Sequence, residues 1–166
     1  MNKKSNVQYQ KIADWFRQRP AAIKGLKLGY IWLPRLIEVS YPVLLFLAWQ
    51  QNWNTVLRYI IIPAVVFGVV TVMRHIWDFP RPYEQGRVPL IEKEKKGHSF
   101  PSRHVASAAV IAWVWWDYAV IPGGLLAVCT VLIALTRVLA GVHYLKDVAA
   151  GGLLALLLAF GMNLLF

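Results

Sequence analysis

Residues 118–136, YAVIPGGLLAVCTVLIALT, and residues 148–166, VAAGGLLALLLAFGMNLLF, each run the length of a bilayer-spanning helix without one charged side chain. Working outward, further apolar runs bounded by charge or turn residues lie at about 29–49, 55–73 and 102–118. The first of these is the least clean, because Arg35 and Glu38 lie in its first half and are spaced to pair or to face protein. The run at 102–118 is short for a span. With 58% hydrophobic residues and a mean hydropathy of +0.48 over 166 residues, the chain is too apolar for a soluble domain of its size. The expected fold is all-α: a polytopic transmembrane helix bundle with spans at about 29–49, 55–73, 102–118, 120–137 and 146–166, and a loop at 75–100.

Residues 1–28 form a separate N-terminal segment ahead of the membrane domain at 29–166. They hold seven Lys and Arg, and Tyr9, Ile12 and Phe16, with Trp15 alongside, recur at helical spacing. That pattern predicts an amphipathic helix lying in the membrane interface. No apolar core of a cleavable signal precedes it. The net charge of +10 suits an anionic lipid surface or a phosphorylated substrate; the chain has no room for a separate nucleic-acid-binding domain. The single Cys129 excludes a disulfide framework and a thiolate metal cluster. Trp113, Trp115 and Trp116 read as an interfacial belt, and the EKEKKG run at 92–97 as a solvated loop. His75 and His98 read as loop or interfacial residues.

Ionisable residues at the membrane are costly, so their positions carry the functional signal. Three clusters stand out: Arg74 to Pro82 at the end of the second span, Gly97 to His104 opening the third, and Thr136 to Asp147 joining the fourth to the fifth. If the spans alternate in direction, all three lie on one side of the membrane and can form one site. The opposite side offers only short connections, with no comparable polar set.

The chemistry of these residues is that of a phosphate site. Guanidinium groups give bidentate hydrogen bonds to phosphate oxygens and stay charged at working pH. Pro101 and Ser102 fall at a helix N-terminus, where free backbone N–H groups and the positive dipole end face outward. His143 and Asp147 are four apart, so on a helix the carboxylate can hold one ring nitrogen while the other addresses substrate. That suits a nucleophilic histidine, and leaves His104 to protonate a leaving oxygen.

The three segments resemble the signature of the type-2 phosphatidic acid phosphatase superfamily: Lys, six residues, Arg-Pro; Pro-Ser-Gly-His; and Ser-Arg, five residues, His, three residues, Asp. Here stand Arg74, six residues, Arg81-Pro82; Pro101-Ser102-Arg103-His104; and Thr136-Arg137, five residues, His143, three residues, Asp147. Arg74 stands for Lys, Thr136 for Ser and Arg103 for Gly; the last places a long side chain where the pattern has none and bears on substrate choice. The resemblance covers about residues 55–155. It implies a lipid phosphatase without metal or cofactor, working through a phosphohistidine. His143 would attack phosphorus, Asp147 position it, and His104 serve as acid and then base. Arg74, Arg81, Ser102, Arg103 and Arg137 would bind the phosphoryl oxygens, with Thr136 and the Arg103 backbone as weaker contributors.

The expected partners are a membrane lipid phosphate (phosphatidylglycerophosphate, phosphatidate or undecaprenyl diphosphate) and the bilayer, with no nucleic acid; oligomeric state is not legible. A non-catalytic phospholipid-binding or transport protein would need the arginines but not His104, His143 and Asp147. A haloperoxidase is disfavoured by a short, all-membrane chain. The expected location is the cell membrane, with multiple spans. The Lys and Arg distribution, concentrated on the site side, puts that side in the cytoplasm; the resemblance to six-span relatives implies an outer-face site with both termini inside.

Overall fold

The computed structural model describes residues 3–92 and 96–166. Lys93 to Lys95, within the EKEKKG run, lie outside the described residues. Among the described residues six α-helices follow in order: α1 Lys3–Arg17, α2 Pro20–Gln51, α3 Trp53–Trp77, α4 Arg103–Tyr118, α5 Val120–Leu139 and α6 Leu145–Asn163. A 3₁₀ turn, Pro82–Gln85, interrupts the long connection between α3 and α4.

The helix boundaries follow local chemistry. Pro20, which needs no intrahelical partner for its nitrogen, begins α2. The break therefore falls at Gln18 and Arg19, not at the expected boundary of 28 and 29. At about 1.5 Å per residue the 32-residue α2 is roughly 48 Å long, so it overruns a hydrocarbon core of about 30 Å. Asn52 separates α2 from α3 and caps the latter, accepting a 2.8 Å hydrogen bond from the Thr55 N–H. Pro63 lies inside α3, where its ring nitrogen cannot donate to the Tyr59 carbonyl one turn back. The Tyr41 hydroxyl of α2 donates to that carbonyl instead, at 2.8 Å, which makes the proline tolerable in a spanning helix.

Helices α2, α3, α5 and α6 are long and apolar enough to cross a membrane. The expected third span is α4, 16 residues and about 24 Å long, and it packs against α2, α3, α5 and α6. Its apolar side chains are buried on nearly every face, from Val105 and Ala106 to Val114 and Trp115. A short helix suffices because its neighbours enclose it. The expected tryptophan belt divides accordingly: Trp115 is buried and packs edge-on against Tyr118, Trp113 is half-buried, and Trp116 is exposed. Around this core, Phe46, Val131, Leu135, Leu157 and Phe160 point outward. An apolar outer surface is what a bilayer requires.

The N-terminal helix docks on protein with one face. Tyr9 and Ala13 are buried, and the Tyr9 hydroxyl reaches the Leu139 carbonyl at the end of α5 at 3.4 Å. Tyr9 also occupies the space that a side chain at Gly141 would fill; Gly141 has φ +77°. Val7, Ile12 and Trp15 remain exposed. The expected stripe is thus split, with Tyr9 facing the bundle and Ile12 and Trp15 facing away from it.

At the end of the bundle remote from the three clusters, a polar set occurs that spacing alone did not reveal. Arg58 pairs with Asp117, and the Tyr59 hydroxyl donates to the same carboxylate at 2.7 Å. This ties α3 to the last turn of α4. Arg35 and Glu38 do not pair in α2; the Arg35 guanidinium instead lies 5.1 Å from the Trp32 ring centre.

Candidate active site

The three clusters meet because the loop before α4 is stitched to the segment after α3 and to α6. The Ser99 N–H donates to the Phe79 carbonyl at 2.8 Å, joining the segment after α3 to the segment before α4. The Ser102 N–H donates to the Asp147 carbonyl at 2.8 Å, joining that segment to α6. This contact needs Gly151: a Cβ there would lie 2.5 Å from the Ser102 carbonyl oxygen. After α5 the chain folds back through Gly141, and the Val142 and His143 N–H groups donate to the Arg137 carbonyl at 3.2 and 3.3 Å. Arg137 and His143 are thereby held on one side of the turn.

These constraints bring Arg74, Arg81, Arg103, His104, Arg137 and His143 around one cavity of about 100 Å³, together with Tyr30 and Val142. That is room for a few waters. Arg74, Arg81 and Arg137 are buried, and each is anchored through part of its guanidinium. Arg74 Nη1 donates to the Pro101 carbonyl at 2.7 Å and Arg81 Nε to the Gly97 carbonyl at 2.9 Å. Arg137 lies over the Tyr30 ring at 3.8 Å, leaving its buried Nε without a hydrogen-bond partner. Like charges gathered on one cavity make it a favourable place for an anion.

Two expected residues stand behind the cavity wall. Ser102 is fully buried, and its N–H is engaged by Asp147, so the donors a helix N-terminus offers here start at Arg103. This corrects the expected free N–H at Ser102; its Oγ is left without a hydrogen-bond partner. Asp147 is likewise fully buried. Thr136 turns its hydroxyl to the Ile133 carbonyl of its own helix at 2.8 Å.

His143 is buried, with Nδ1 3.6 Å from Asp147 Oδ2. Between them sits Ser99, which donates to Asp147 Oδ2 at 2.6 Å and lies 3.4 Å from His143 Nδ1. The Tyr144 N–H adds a third contact to the same oxygen at 3.0 Å. Burial pushes the His143 pKa below its usual 6.5, an effect that the Asp147 carboxylate opposes and the Arg81 and Arg74 charges reinforce. The ring is therefore neutral near pH 7. With Nδ1 turned to Ser99 and Asp147, Nε2 is the ring atom left for substrate.

Ser99 and Tyr30 are site residues that sequence reasoning missed. A serine between a histidine and a phenylalanine in a loop carries no periodic signal, and Tyr30 reads as one more aromatic in a span. His98, read as a loop residue, also braces the loop. Its Nδ1 lies 2.8 Å from the Arg74 carbonyl and 3.1 Å from Asp78 Oδ1, while its ring lies near that of His75. Arg87 is buried as well; its Nε donates to Asn6 at 2.9 Å and its guanidinium lies near the Tyr9 and Tyr144 rings. It fastens α1 beside the site.

A multi-span helical bundle with a buried histidine beside clustered guanidiniums defines a class: polytopic membrane proteins that gather cationic side chains around a histidine at one end of the bundle. The chain matches the PAP2 superfamily over residues 55–166 and belongs to that family. Its fold is similar to that of two solved structures. Aquifex aeolicus LpxE aligns with a TM-score of 0.64 at 22% identity, covering 98% of this chain and 87% of that one. The first transmembrane PAP2-type phosphatidylglycerolphosphate phosphatase from Bacillus subtilis aligns with a TM-score of 0.60 at 23% identity, covering 98% and 86%. No curated protein matches the chain in sequence.

Proposed function

We propose that this chain is a membrane lipid phosphatase that hydrolyses a phosphomonoester or diphosphate of a bilayer lipid through a phosphohistidine on His143. The observation that carries the reading is the buried His143 lining the same cavity as Arg74, Arg81 and Arg137. In the first step His143 Nε2 attacks phosphorus, the bond from phosphorus to the lipid oxygen breaks, and His104 gives that oxygen its proton. In the second step His104 takes a proton from water, the resulting hydroxide attacks phosphorus, and the N–P bond breaks to release phosphate. The three buried guanidiniums, with Arg103 at the rim, stabilise charge on the transferring group, so the reaction needs no divalent ion. Candidate substrates are phosphatidylglycerophosphate, phosphatidate and undecaprenyl diphosphate. The similar Bacillus subtilis protein is named for the first of these chemistries.

The test is phosphate release in detergent with excess chelator, by wild type and His143→Ala, from each of the three lipids. Chelator-resistant release that vanishes in the variant supports the reading; no release from any lipid contradicts it. Basic residues crowd the site side, including the start of α2, and favour a cytoplasmic site. In a Cys129→Ser background, Lys96→Cys should resist a membrane-impermeant thiol reagent in intact cells. Labelling there would place the site outside.

A further inference from the structure

Beside the phosphate cavity lies a second one of about 240 Å³, between α2, α3 and α4, lined by Glu38, Phe67, Arg103, His104 and Ser107 among others. The two cavities share Arg103 and His104, and the phosphate cavity alone contains His143. A line from the nucleophile through phosphorus toward the proton donor therefore leads into the second cleft. In-line displacement sends the leaving group along that line. The cleft also runs the right way for a lipid. Glu38 is eight residues further along α2 than Tyr30, about 12 Å along the helix axis and at an exposed position that borders the cleft, and Ser107 is about one turn further along α4 than His104.

Glu38 is the unusual member of this lining. It is an ionisable side chain in the middle of a spanning helix, where such residues are expensive and seldom without purpose. Among the described residues it forms no ion pair, although Arg137 is near enough to feel its charge. A carboxylate beside a phosphate site disfavours a negatively charged leaving group and accepts hydrogen bonds from a neutral one that carries donors.

Building on the phosphatase reading, we infer that this cleft binds the leaving alcohol and that Glu38 selects leaving groups bearing free hydroxyls, those of a polyol or a sugar. A carboxylate accepts two or more O–H donors, and Ser107 and Arg103 supply the complementary donors. Arg103, its guanidinium 5.4 Å from the Phe67 ring centre, forms the partition between cleft and phosphate site. The three candidate lipids are then ranked. Phosphatidylglycerophosphate releases phosphatidylglycerol, whose headgroup glycerol carries a free hydroxyl next to the departing oxygen that satisfies Glu38. Phosphatidate leaves as a diacylglycerol, with no donor next to the departing oxygen. A lipid diphosphate releases a lipid monophosphate, which brings negative charge toward Glu38.

The experiment compares kcat/KM for phosphatidylglycerophosphate, phosphatidate and undecaprenyl diphosphate in mixed micelles, for wild type, Glu38→Ala and Glu38→Gln. Wild type should prefer the glycerol-bearing lipid at least tenfold over phosphatidate. Glu38→Ala should cut that ratio by about tenfold, and Glu38→Gln, which keeps an acceptor, by less. Both variants should raise the diphosphate relative to phosphatidate. Unchanged ratios, or an equal loss on all three lipids, would overturn the assignment. If Glu38→Ala does not fold, Ser107→Ala must shift the same ratio in the same direction, and its failure to do so would be equally decisive. Should wild type hydrolyse none of the lipids, the phosphatase reading falls separately. The cleft is then judged by binding: equal affinity for phosphatidylglycerophosphate and phosphatidate overturns it, and tighter binding of the former that Glu38→Ala abolishes supports it.

Discussion

The Ser99 hydroxyl donates to Asp147 Oδ2 at 2.6 Å, the shortest side-chain contact made to that carboxylate. Asp147 Oδ2 is 3.6 Å from His143 Nδ1, just beyond a good hydrogen bond, and Ser99 fills the gap from the side. The orientation of the proposed nucleophile therefore depends on a loop serine as well as on its carboxylate. Ser99→Ala should reduce kcat/KM by about 10- to 100-fold, in line with the roughly 1.5–3 kcal/mol of a hydrogen bond to a charged group. Ser99→Thr should recover part of it. Steady-state kinetics on both variants checks this, and wild-type rates in Ser99→Ala would show that Asp147 orients His143 unaided.

The pH dependence follows from the depressed pKa of His143. Because burial favours the neutral ring, the acid limb of kcat/KM should lie below pH 6.5 and not at it. Stability should follow the same sign. Below pH 6.5 the unfolded chain binds a proton at His143 more readily than the folded one, so this residue's contribution is complete above 6.5 and is lost as pH falls toward the folded pKa. Thermal unfolding from about pH 8 to about pH 5 should show a steeper decline in wild type than in His143→Gln. Parallel curves would contradict the assignment.

Two adjacent glycines give an internally controlled test of how α6 meets the Ser102 backbone ahead of α4. A Cβ at Gly151 would lie 2.5 Å from the Ser102 carbonyl oxygen and 3.2 Å from its nitrogen, both backbone atoms that cannot swing aside. At Gly152 the nearest atom is a Val105 methyl at 3.6 Å, an ordinary contact. Gly151→Ala should cost about 1–3 kcal/mol of stability by overpacking and lower activity more than tenfold. Gly152→Ala should be neutral or slightly stabilising. Thermal shift and initial rates on the pair distinguish them.

The Arg58 and Asp117 pair lies at the opposite end of the bundle and should affect stability without affecting chemistry. Asp117→Ala removes the acceptor of both Arg58 and the Tyr59 hydroxyl. It should destabilise by about 1–3 kcal/mol, as expected for stranded, partly buried polar groups. The kcat of the folded fraction should stay within twofold of wild type. A large fall in kcat would show coupling along α4 between the two ends.

What the sequence made legible follows from periodicity and spacing. Uncharged stretches of span length located α5 and α6, and the intervals between Arg74 and Arg81, and among Arg137, His143 and Asp147, pointed to residues that the fold gathers around or just behind one cavity. Contacts made by irregular backbone stayed hidden. Ser99 reaches Asp147 only because its loop is pinned to Phe79, and the Ser102 N–H is taken by Asp147 only because Gly151 allows α6 so close. No one-dimensional pattern encodes either approach. The docking of α1 was obscured for another reason: an amphipathic face reads alike whether it meets lipid or protein, and Tyr9 meets protein. Tyr30 was masked by the apolar run around it, where one more aromatic carries no signal.

The central claim is that the phosphoryl group passes through His143. It is tested most directly by acid-and-base partition of a trapped intermediate. Wild type, His104→Ala and His143→Ala are mixed with lipid carrying ³²P in the scissile phosphate, quenched within milliseconds to seconds, and the protein is scored for label that survives base and is released by acid. The proposed mechanism predicts such label on wild type, a higher level on His104→Ala if attack outlasts the loss of its second-step base, and none on His143→Ala. Base-stable, acid-labile label on folded His143→Ala, or phosphate release by that variant at the wild-type rate, would contradict it.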